Sequence, residues 1–140
     1  MKEKSEHLDI LKNRHNASGY YKLLGMCVDE IEDGYARVSL HANETHHSLY
    51  ETAHGGVTAS LADTAAGVAV GTLADDGDRS TTVEMKLNYL YPVRNEKIFA
   101  EARVVNSGKK ILLVEVEVKN ASENLVAKGL ATYAITRMSK

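Results

Sequence analysis

The residue best suited to chemistry lies in an apolar segment of the chain. Residues 55–74 are almost all Gly, Ala, Val, Leu, Thr and Ser, and Asp63 is the only ionisable side chain among them. A carboxylate is costly to bury unless it is paired or hydrogen-bonded, so a carboxylate at such a position is often functional. The alternative is that Asp63 caps a neighbouring backbone or points outward at the edge of a helix.

A glycine motif opens the same segment. His54, Gly55 and Gly56 stand directly before its apolar residues. Unpaired N–H groups at a helix N-terminus suit a carbonyl oxygen that becomes an oxyanion, and glycines let a ligand approach the backbone. The two glycines could equally serve only as a tight entry into the helix.

The spacing of these two features predicts a dimer. His54 and Asp63 are nine positions apart, which is about 13 Å along one helix and too far to act on one small reacting group. Two such helices, antiparallel across a two-fold axis, would bring Asp63 of one chain near His54 and Gly55 of the other.

The flanking sequence predicts the elements that must position these residues. The N-terminal segment 1–24 suits one or two short helices broken near Ser18, and a hairpin follows at Asp33 and Gly34. The polar stretch 41–53 is predicted as a loop, and residues 55–74 as the one long helix. Four alternating strands come after it, so the element order is β-β-α-β-β-β-β.

The alternation also predicts the fold class. Strands with one charged and one apolar face need a single covering layer, and only the apolar helix can supply it. We therefore expect an α+β domain spanning residues 1–140, with an antiparallel sheet of about six strands wrapped around one central helix.

Two finer expectations concern the faces of the strands. The strand ending at Pro92 should bury its odd-numbered residues, namely Val83, Met85, Leu87, Tyr89 and Tyr91. Cys27 falls on the first strand, where a core position is expected rather than a nucleophile.

Three stretches of sequence together resemble a known enzyme family. They are His54-Gly55-Gly56-Val57, Ala62-Asp63-Thr64-Ala65, and the run from Thr82 to Tyr89-Leu90-Tyr91-Pro92. Over roughly residues 20–137 the chain resembles the hotdog-fold thioesterases of the phenylacetate-degradation (PaaI-like) branch. The resemblance implies hydrolysis of an aromatic or short- to medium-chain acyl-coenzyme A at a subunit interface, with coenzyme A as part of the substrate and no cofactor. It also implies a homodimer, commonly paired into a tetramer.

The resemblance implies a role for each site residue. The Gly55 N–H would polarise the thioester carbonyl, His54 would help to position it, and the Gly56 backbone would lie against the ligand. Asp63 of the partner chain would act as nucleophile or general base. Thr82 would lie near the attacking group, although an outward-facing strand threonine is an equal alternative.

The chain departs from the family at two positions before the motif. Relatives usually carry Asn or Gln where this chain has Ser48, and often Gly where it has Glu51. Ser48 can still donate one hydrogen bond to a carbonyl, but with a shorter reach. The phosphates of coenzyme A would need basic groups, and the loop candidates are Arg94, Lys109 and Lys110.

Composition excludes other classes of function. The chain has 140 residues with 17 Lys+Arg against 19 Asp+Glu, so it lacks the cationic excess that nucleic acid binding needs. The histidines His41, His46, His47 and His54 have no fixed metal-ligand spacing and are expected to be solvated loop residues. The single cysteine indicates a reducing compartment, and the charged N-terminal residues suit neither a signal peptide nor an anchor, so we expect a cytoplasmic protein.

Two alternatives to a thioesterase remain open from the sequence. One is a hotdog module that binds acyl-coenzyme A without turning it over. The other is a hotdog enoyl-coenzyme A hydratase, which would use a different acid–base pair.

Overall fold

Six strands and one long helix form the framework of the protein. The computed structural model describes residues 2–137, in which the elements are α1 (Lys2–Asn16), α2 (Gly19–Leu24), β1 (Cys27–Glu32), β2 (Tyr35–His41), a short 3-10 turn (Glu44–His46), α3 (Gly55–Gly71), β3 (Arg79–Tyr89), β4 (Lys97–Ser107), β5 (Ile111–Asn120) and β6 (Leu125–Thr136). This order confirms the predicted succession of strands around one long helix. That helix ends at Gly71, three residues before the predicted end.

All six strands belong to one antiparallel sheet, and the apolar face of this sheet covers α3. The strand order is β1-β2-β4-β5-β6-β3. Small residues on α3 let the sheet approach the helix closely, and most of its side chains are fully buried against Val and Ile side chains of the strands. The expected hotdog arrangement is therefore confirmed.

The strand β3 lies at one end of the sheet. It pairs only with β6, so its other edge carries backbone groups that no strand of the described residues satisfies. An edge strand of this kind is a ready template for pairing with a second chain.

A bulge in β3 changes which side chains face the helix. Thr82 pairs with Tyr133 and Glu84 pairs with Thr132, so Val83 is an extra residue between them. The prediction of burial is wrong for Val83, Tyr89 and Tyr91, which are 60%, 54% and 47% exposed. The bulge shifts the alternation of inward- and outward-facing side chains by one residue. Thr82 therefore lies on the inner face of the sheet together with Met85 and Leu87.

The prediction for Cys27 is also wrong. Its side chain is exposed, whereas the neighbours Met26 and Val28 are buried. Alternation along β1 therefore places Met26 and Val28, and not the cysteine, on the face that packs against the helix.

The outer face of the sheet holds two aromatic rings beneath arginine side chains. The Arg37 guanidinium lies 4.1 Å from the Phe99 ring centre, and that of Arg103 lies 4.4 Å from the Tyr35 ring centre. Phe99 and Tyr35 are only 8% and 7% exposed. This face therefore presents charge to solvent, and its rings are hidden.

The two N-terminal helices pack along α3 and against β1. Tyr20 of α2 reaches Ser60 of the long helix, and Leu11 of α1 lies against Gly71 at its end. The Lys12 ammonium donates to the Asp29 carbonyl, which ties α1 to β1. Within residues 2–137, no helix is both long and apolar enough to cross a membrane.

Candidate active site

The N-terminus of α3 is closed on one side by His54 and open at Gly55. His54 is the N-cap residue, and its Nδ1 accepts a hydrogen bond of 2.8 Å from the Gly56 N–H. In a neutral imidazole the ring proton must then be on Nε2, which leaves Nε2 as a donor. The Gly55 N–H has no acceptor within residues 2–137. It is therefore free for a ligand, while the Gly56 N–H, also expected to meet the ligand, is already bonded to His54.

Tyr89 at the end of β3 fixes the first peptide of the helix. Its hydroxyl donates to the Gly55 carbonyl at 3.0 Å, and a Cβ at Gly55 would lie 3.4 Å from the Tyr89 ring. A Cβ at Gly56 would lie 2.9 Å from His54 Nδ1, closer than real Cβ contacts. The absence of a side chain is therefore required at Gly56, where it makes room for the His54 cap, whereas a Cβ at Gly55 would make an ordinary contact with the Tyr89 ring.

A cavity of about 410 Å³ opens beside this helix end. Its lining is mainly apolar and consists of Ala53, Gly55, Thr58, Tyr89, Leu90, Tyr91, Pro92, Val93 and Val126. Tyr50, in the loop before α3, is not part of this lining and is 81% exposed.

Asp63 lies in the middle of α3 and is held by two hydroxyl groups. The Thr82 hydroxyl donates to Asp63 Oδ1 at 2.9 Å, and the Tyr133 hydroxyl lies 2.5 Å from the same oxygen. The carboxylate is half-buried. Thr82 therefore faces the carboxylate and not the solvent, which excludes the outward-facing alternative.

Two buried phenols surround this carboxylate. Burial, and next the charge of Asp63, raise the pKa of Tyr21 to about 12. The pKa of Tyr133 is raised further, first by burial and then by its hydrogen bond to Asp63. Both phenols are therefore protonated at neutral pH, and the Tyr133 hydroxyl is available as a donor.

One chain does not bring the two halves of the site together. His54 caps α3 and Asp63 belongs to the same continuous helix, so the separation of about 13 Å along the axis holds in the structure. Among the described residues, the lining of the cavity beside Gly55 includes no Asp or Glu.

The residues that replace the family pattern lie in the loop before α3. Ser48 is half-buried, and its hydroxyl accepts a long hydrogen bond of 3.4 Å from the Tyr50 N–H. Glu51 has a φ of 61°, a conformation that favours glycine. This backbone angle gives a physical reason why a glycine would suit that position.

The three basic candidates do not share one end of the molecule. Arg94 follows Val93, whose carbonyl accepts from the Ala53 N–H, so Arg94 lies near the start of α3. Lys109 and Lys110 form the turn after β4, whose 11 residues span about 33 Å. Within one chain, Arg94 can reach the mouth of the cavity and the two lysines cannot.

The loop histidines have structural partners. His46 is 6% exposed, its Nε2 donates to the Leu24 carbonyl at 2.8 Å, and its Nδ1 accepts from the Asn43 N–H. The expectation that it is solvated is wrong, because it ties the loop to the end of α2. His47 bonds to Asn95. Across residues 2–137, no group of three His, Cys, Asp or Glu side chains could hold a metal ion.

Tyr133 lies at the centre of the site, although the sequence did not mark it as a candidate. The signal was present, since Tyr133 alternates with Ala131 and Ile135 on the buried face of β6. A tyrosine on such a face needs a partner for its hydroxyl, and Asp63 is the one carboxylate on the helix that β6 covers.

Comparisons with known proteins give a consistent family. The thioesterase superfamily model matches residues 50–127. A putative esterase of Saccharolobus solfataricus is 32% identical over 133 residues, which cover 95% of this chain and 85% of that protein. A medium/long-chain acyl-CoA thioesterase of Escherichia coli is 28% identical over 131 residues, covering 83% of this chain and 84% of that protein. A mutant structure of the phenylacetic acid degradation protein PaaI from Thermus thermophilus superposes with a TM-score of 0.78 at 27% identity, covering 84% of this chain and 98% of that one.

Proposed function

Because the chain belongs to the thioesterase superfamily, we propose that it hydrolyses an acyl-coenzyme A thioester at a site shared by two subunits. The observation that carries the proposal is the pairing of a free N–H at the start of α3 with a carboxylate in the same uncharged helix. The products are coenzyme A and an aromatic or short- to medium-chain acid. The single cysteine and the charge balance support a cytoplasmic location.

The helix end serves as the oxyanion site in this proposal. The thioester oxygen accepts from the Gly55 N–H, where the positive end of the helix dipole stabilises the charge that develops on it. His54 Nε2 is a second donor on the same side. Tyr89 bonds to the Gly55 carbonyl, which belongs to the next peptide, and so holds the residue that carries this N–H.

Asp63 of the partner subunit supplies the base or the nucleophile. As a base it takes a proton from water while the water oxygen bonds to the acyl carbon, the C–S bond breaks, and the proton passes to the coenzyme A sulfur. As a nucleophile its carboxylate oxygen bonds to the acyl carbon while the C–S bond breaks and coenzyme A leaves as a thiolate that takes a proton from water; a second water then cleaves the anhydride to the acid and free Asp63. A single turnover in ¹⁸O-labelled water tests for the nucleophilic path, because label in Asp63 can arise only when water attacks the Asp63 carbonyl carbon of the anhydride.

Substrate contacts follow from the cavity beside Gly55. Its apolar lining accepts an apolar portion of the substrate, and Arg94 at the neighbouring loop is placed to bind a phosphate of coenzyme A. Lys109 and Lys110 could reach that phosphate only from another subunit.

Asp63→Asn tests the proposal directly. We expect the variant to keep its fold and to lose about 100-fold or more of the wild-type kcat on benzoyl- or hexanoyl-coenzyme A, measured as released thiol. Asp76→Asn, an exposed turn carboxylate, is the matched control and should hydrolyse both thioesters at the wild-type rate.

Other outcomes would point to the alternatives. Tight binding of acyl-coenzyme A with no thiol released from any substrate would indicate a binding module. Hydration of crotonyl-coenzyme A in place of hydrolysis would indicate a hydratase. An Asp63→Asn variant with undiminished thiol release would remove the carboxylate from the mechanism.

A further inference from the structure

The two oxygens of the Asp63 carboxylate have different surroundings. Oδ1 faces both the Thr82 hydroxyl at 2.9 Å and the Tyr133 hydroxyl at 2.5 Å, and the one Tyr133 proton is shared between Oδ1 and the Asp63 backbone carbonyl at 2.7 Å. Oδ2 receives no hydrogen bond from any residue between 2 and 137. Oδ1 thus has two hydroxyl neighbours, whereas Oδ2 is the carboxylate oxygen left open to water or substrate.

The sheet register sets this asymmetry. Thr82 and Tyr133 are direct partners across β3 and β6, so both side chains project to the same face and converge on one oxygen. The bulge at Val83 is required for this, because without it Thr82 would lie on the face opposite Met85. Tyr133 itself is 4% exposed and held among core side chains.

The helix leaves space for the phenol. A Cβ at Gly67, one turn after Asp63, would lie 3.1 Å from the Tyr133 hydroxyl oxygen. Such a contact is tighter than almost all real Cβ contacts, so a larger residue would push the hydroxyl away from Oδ1. The absence of a side chain at Gly67 therefore belongs to the same arrangement.

The groups that face Asp63 from the packed elements are neutral. They are Tyr133 from β6, Thr82 from β3 and Tyr21 from α2, whose hydroxyl is bonded to His15. Burial raises the pKa of both phenols, so neither loses its proton in the range where a carboxylate titrates. Among residues 2–137 the partners of the Asp63 side chain are therefore hydroxyl groups and not cations.

We infer that Tyr133 is a positioning residue for the Asp63 carboxylate: with Thr82 it fixes Oδ1 and directs Oδ2 at the reacting group. This inference rests on the proposed function, in which Asp63 acts on a thioester bound at the partner's helix end. It adds to that function the residue that orients the carboxylate and the oxygen that reacts.

Tyr133→Phe is the main test, since it removes one hydroxyl from a ring that otherwise stays in place. Loss of a donor to the ionised carboxylate should lower kcat about 10-fold with little change in KM. It should also move the acidic limb of the kcat profile to higher pH, because the charged form of Asp63 loses a hydrogen-bond donor. Thr82→Val should act in the same direction, and Thr82→Ser, which keeps the hydroxyl, should restore the wild-type profile.

Tyr35→Phe is the matched control. Tyr35 is also a buried tyrosine that donates to a carboxylate, at 2.8 Å from Glu101, but on the outer face of the sheet. Its removal should leave kcat and the acidic limb unchanged. Gly67→Ala adds a Cβ 3.1 Å from the Tyr133 hydroxyl oxygen and disturbs the same contact from the helix side. It should move the acidic limb of the kcat profile in the same direction as Tyr133→Phe.

A measurement that needs no turnover separates this inference from the proposed function. In ¹³C NMR of the Asp63 carboxyl carbon, the midpoint of titration should be higher in Tyr133→Phe than in wild type. If wild type released no thiol but this shift were present, the proposed function would fail while the contact stood. If Tyr133→Phe lowered thermal stability and left both the midpoint and the acidic limb at wild-type values, the tyrosine would be purely structural and the inference would be wrong.

Discussion

Two glutamates hold backbone conformations that side chains rarely adopt. Glu51 and Glu123 have φ angles of 61° and 62°, both in exposed turns. A residue with a Cβ loses about 1 kcal/mol or more in this conformation, whereas glycine does not. Glu51 comes three residues before His54, so the loop that leads into the site is strained.

Replacing either glutamate by glycine should stabilise the protein. We expect Glu51→Gly to raise the free energy of unfolding by about 0.5–1 kcal/mol in urea titrations, since relief of strain exceeds the greater chain entropy of glycine. Glu51→Ala keeps the Cβ and should give no gain. Glu123→Gly, far from α3 in the β5–β6 turn, should give a similar gain and leave thiol release unchanged.

The sequence was informative for residues whose surroundings make them unusual. Asp63 stood out because every neighbour on its helix is uncharged, and His54 with Gly55 stood out because they precede that helix. Thr82 and Tyr133 could not be assigned in the same way. Their inward orientation depends on a bulge and on a strand partnership between residues 51 positions apart, and neither is visible in local alternation.

At the scale of elements, β3 and β6 approach each other closely at Gly129. A Cβ at that position would overlap the Lys86 carbonyl oxygen, so these strands can pair only if the position has no side chain. β3 carries Thr82 and Tyr89, which contact Asp63 and Gly55. The placement of both site contacts therefore depends on Gly129.

Gly129→Ala should displace β3. Since the obstructing atom is backbone, the strand itself must move, and we expect a loss of about 3 kcal/mol in the free energy of unfolding. Thiol release should fall with it because Thr82 and Tyr89 move together. Gly19→Ala is the control, since no atom lies within 4 Å of the added Cβ; equal stability of the two variants would contradict this account.

The order of the elements was predictable, because the alternation of apolar and polar residues and the presence of turn residues are local signals in the sequence. The charged outer face and apolar inner face of β4 and β5 are readable in sequence, and the structure has the same faces. Local alternation does not specify which strands pair, because placing β3 beside β6 involves contacts between distant residues. That placement is what leaves β3 at an edge.

At the scale of the whole molecule, the distance along α3 makes subunit pairing a condition of the proposed activity. Two defective variants, Asp63→Asn and His54→Ala, should therefore complement each other when co-refolded. In a mixed dimer one site carries both changes and the other carries neither, so random pairing should restore about a quarter of the wild-type rate. As the control, two differently tagged preparations of Asp63→Asn, co-refolded in the same way, should recover no activity. If the mixture of Asp63→Asn and His54→Ala also recovered no activity, the site would lie within one chain.

The arginines that cover Phe99 and Tyr35 determine how subunit association through this face would respond to salt. Any association through the outer sheet face would depend on charges, including Arg37, Arg103 and Glu101, and would be screened over a Debye length of about 10 Å in 0.1 M salt. Pairing along β3 would use backbone hydrogen bonds, which salt affects far less. Raising the salt concentration should thus dissociate a tetramer formed through this face into dimers, and the dimers should stay intact.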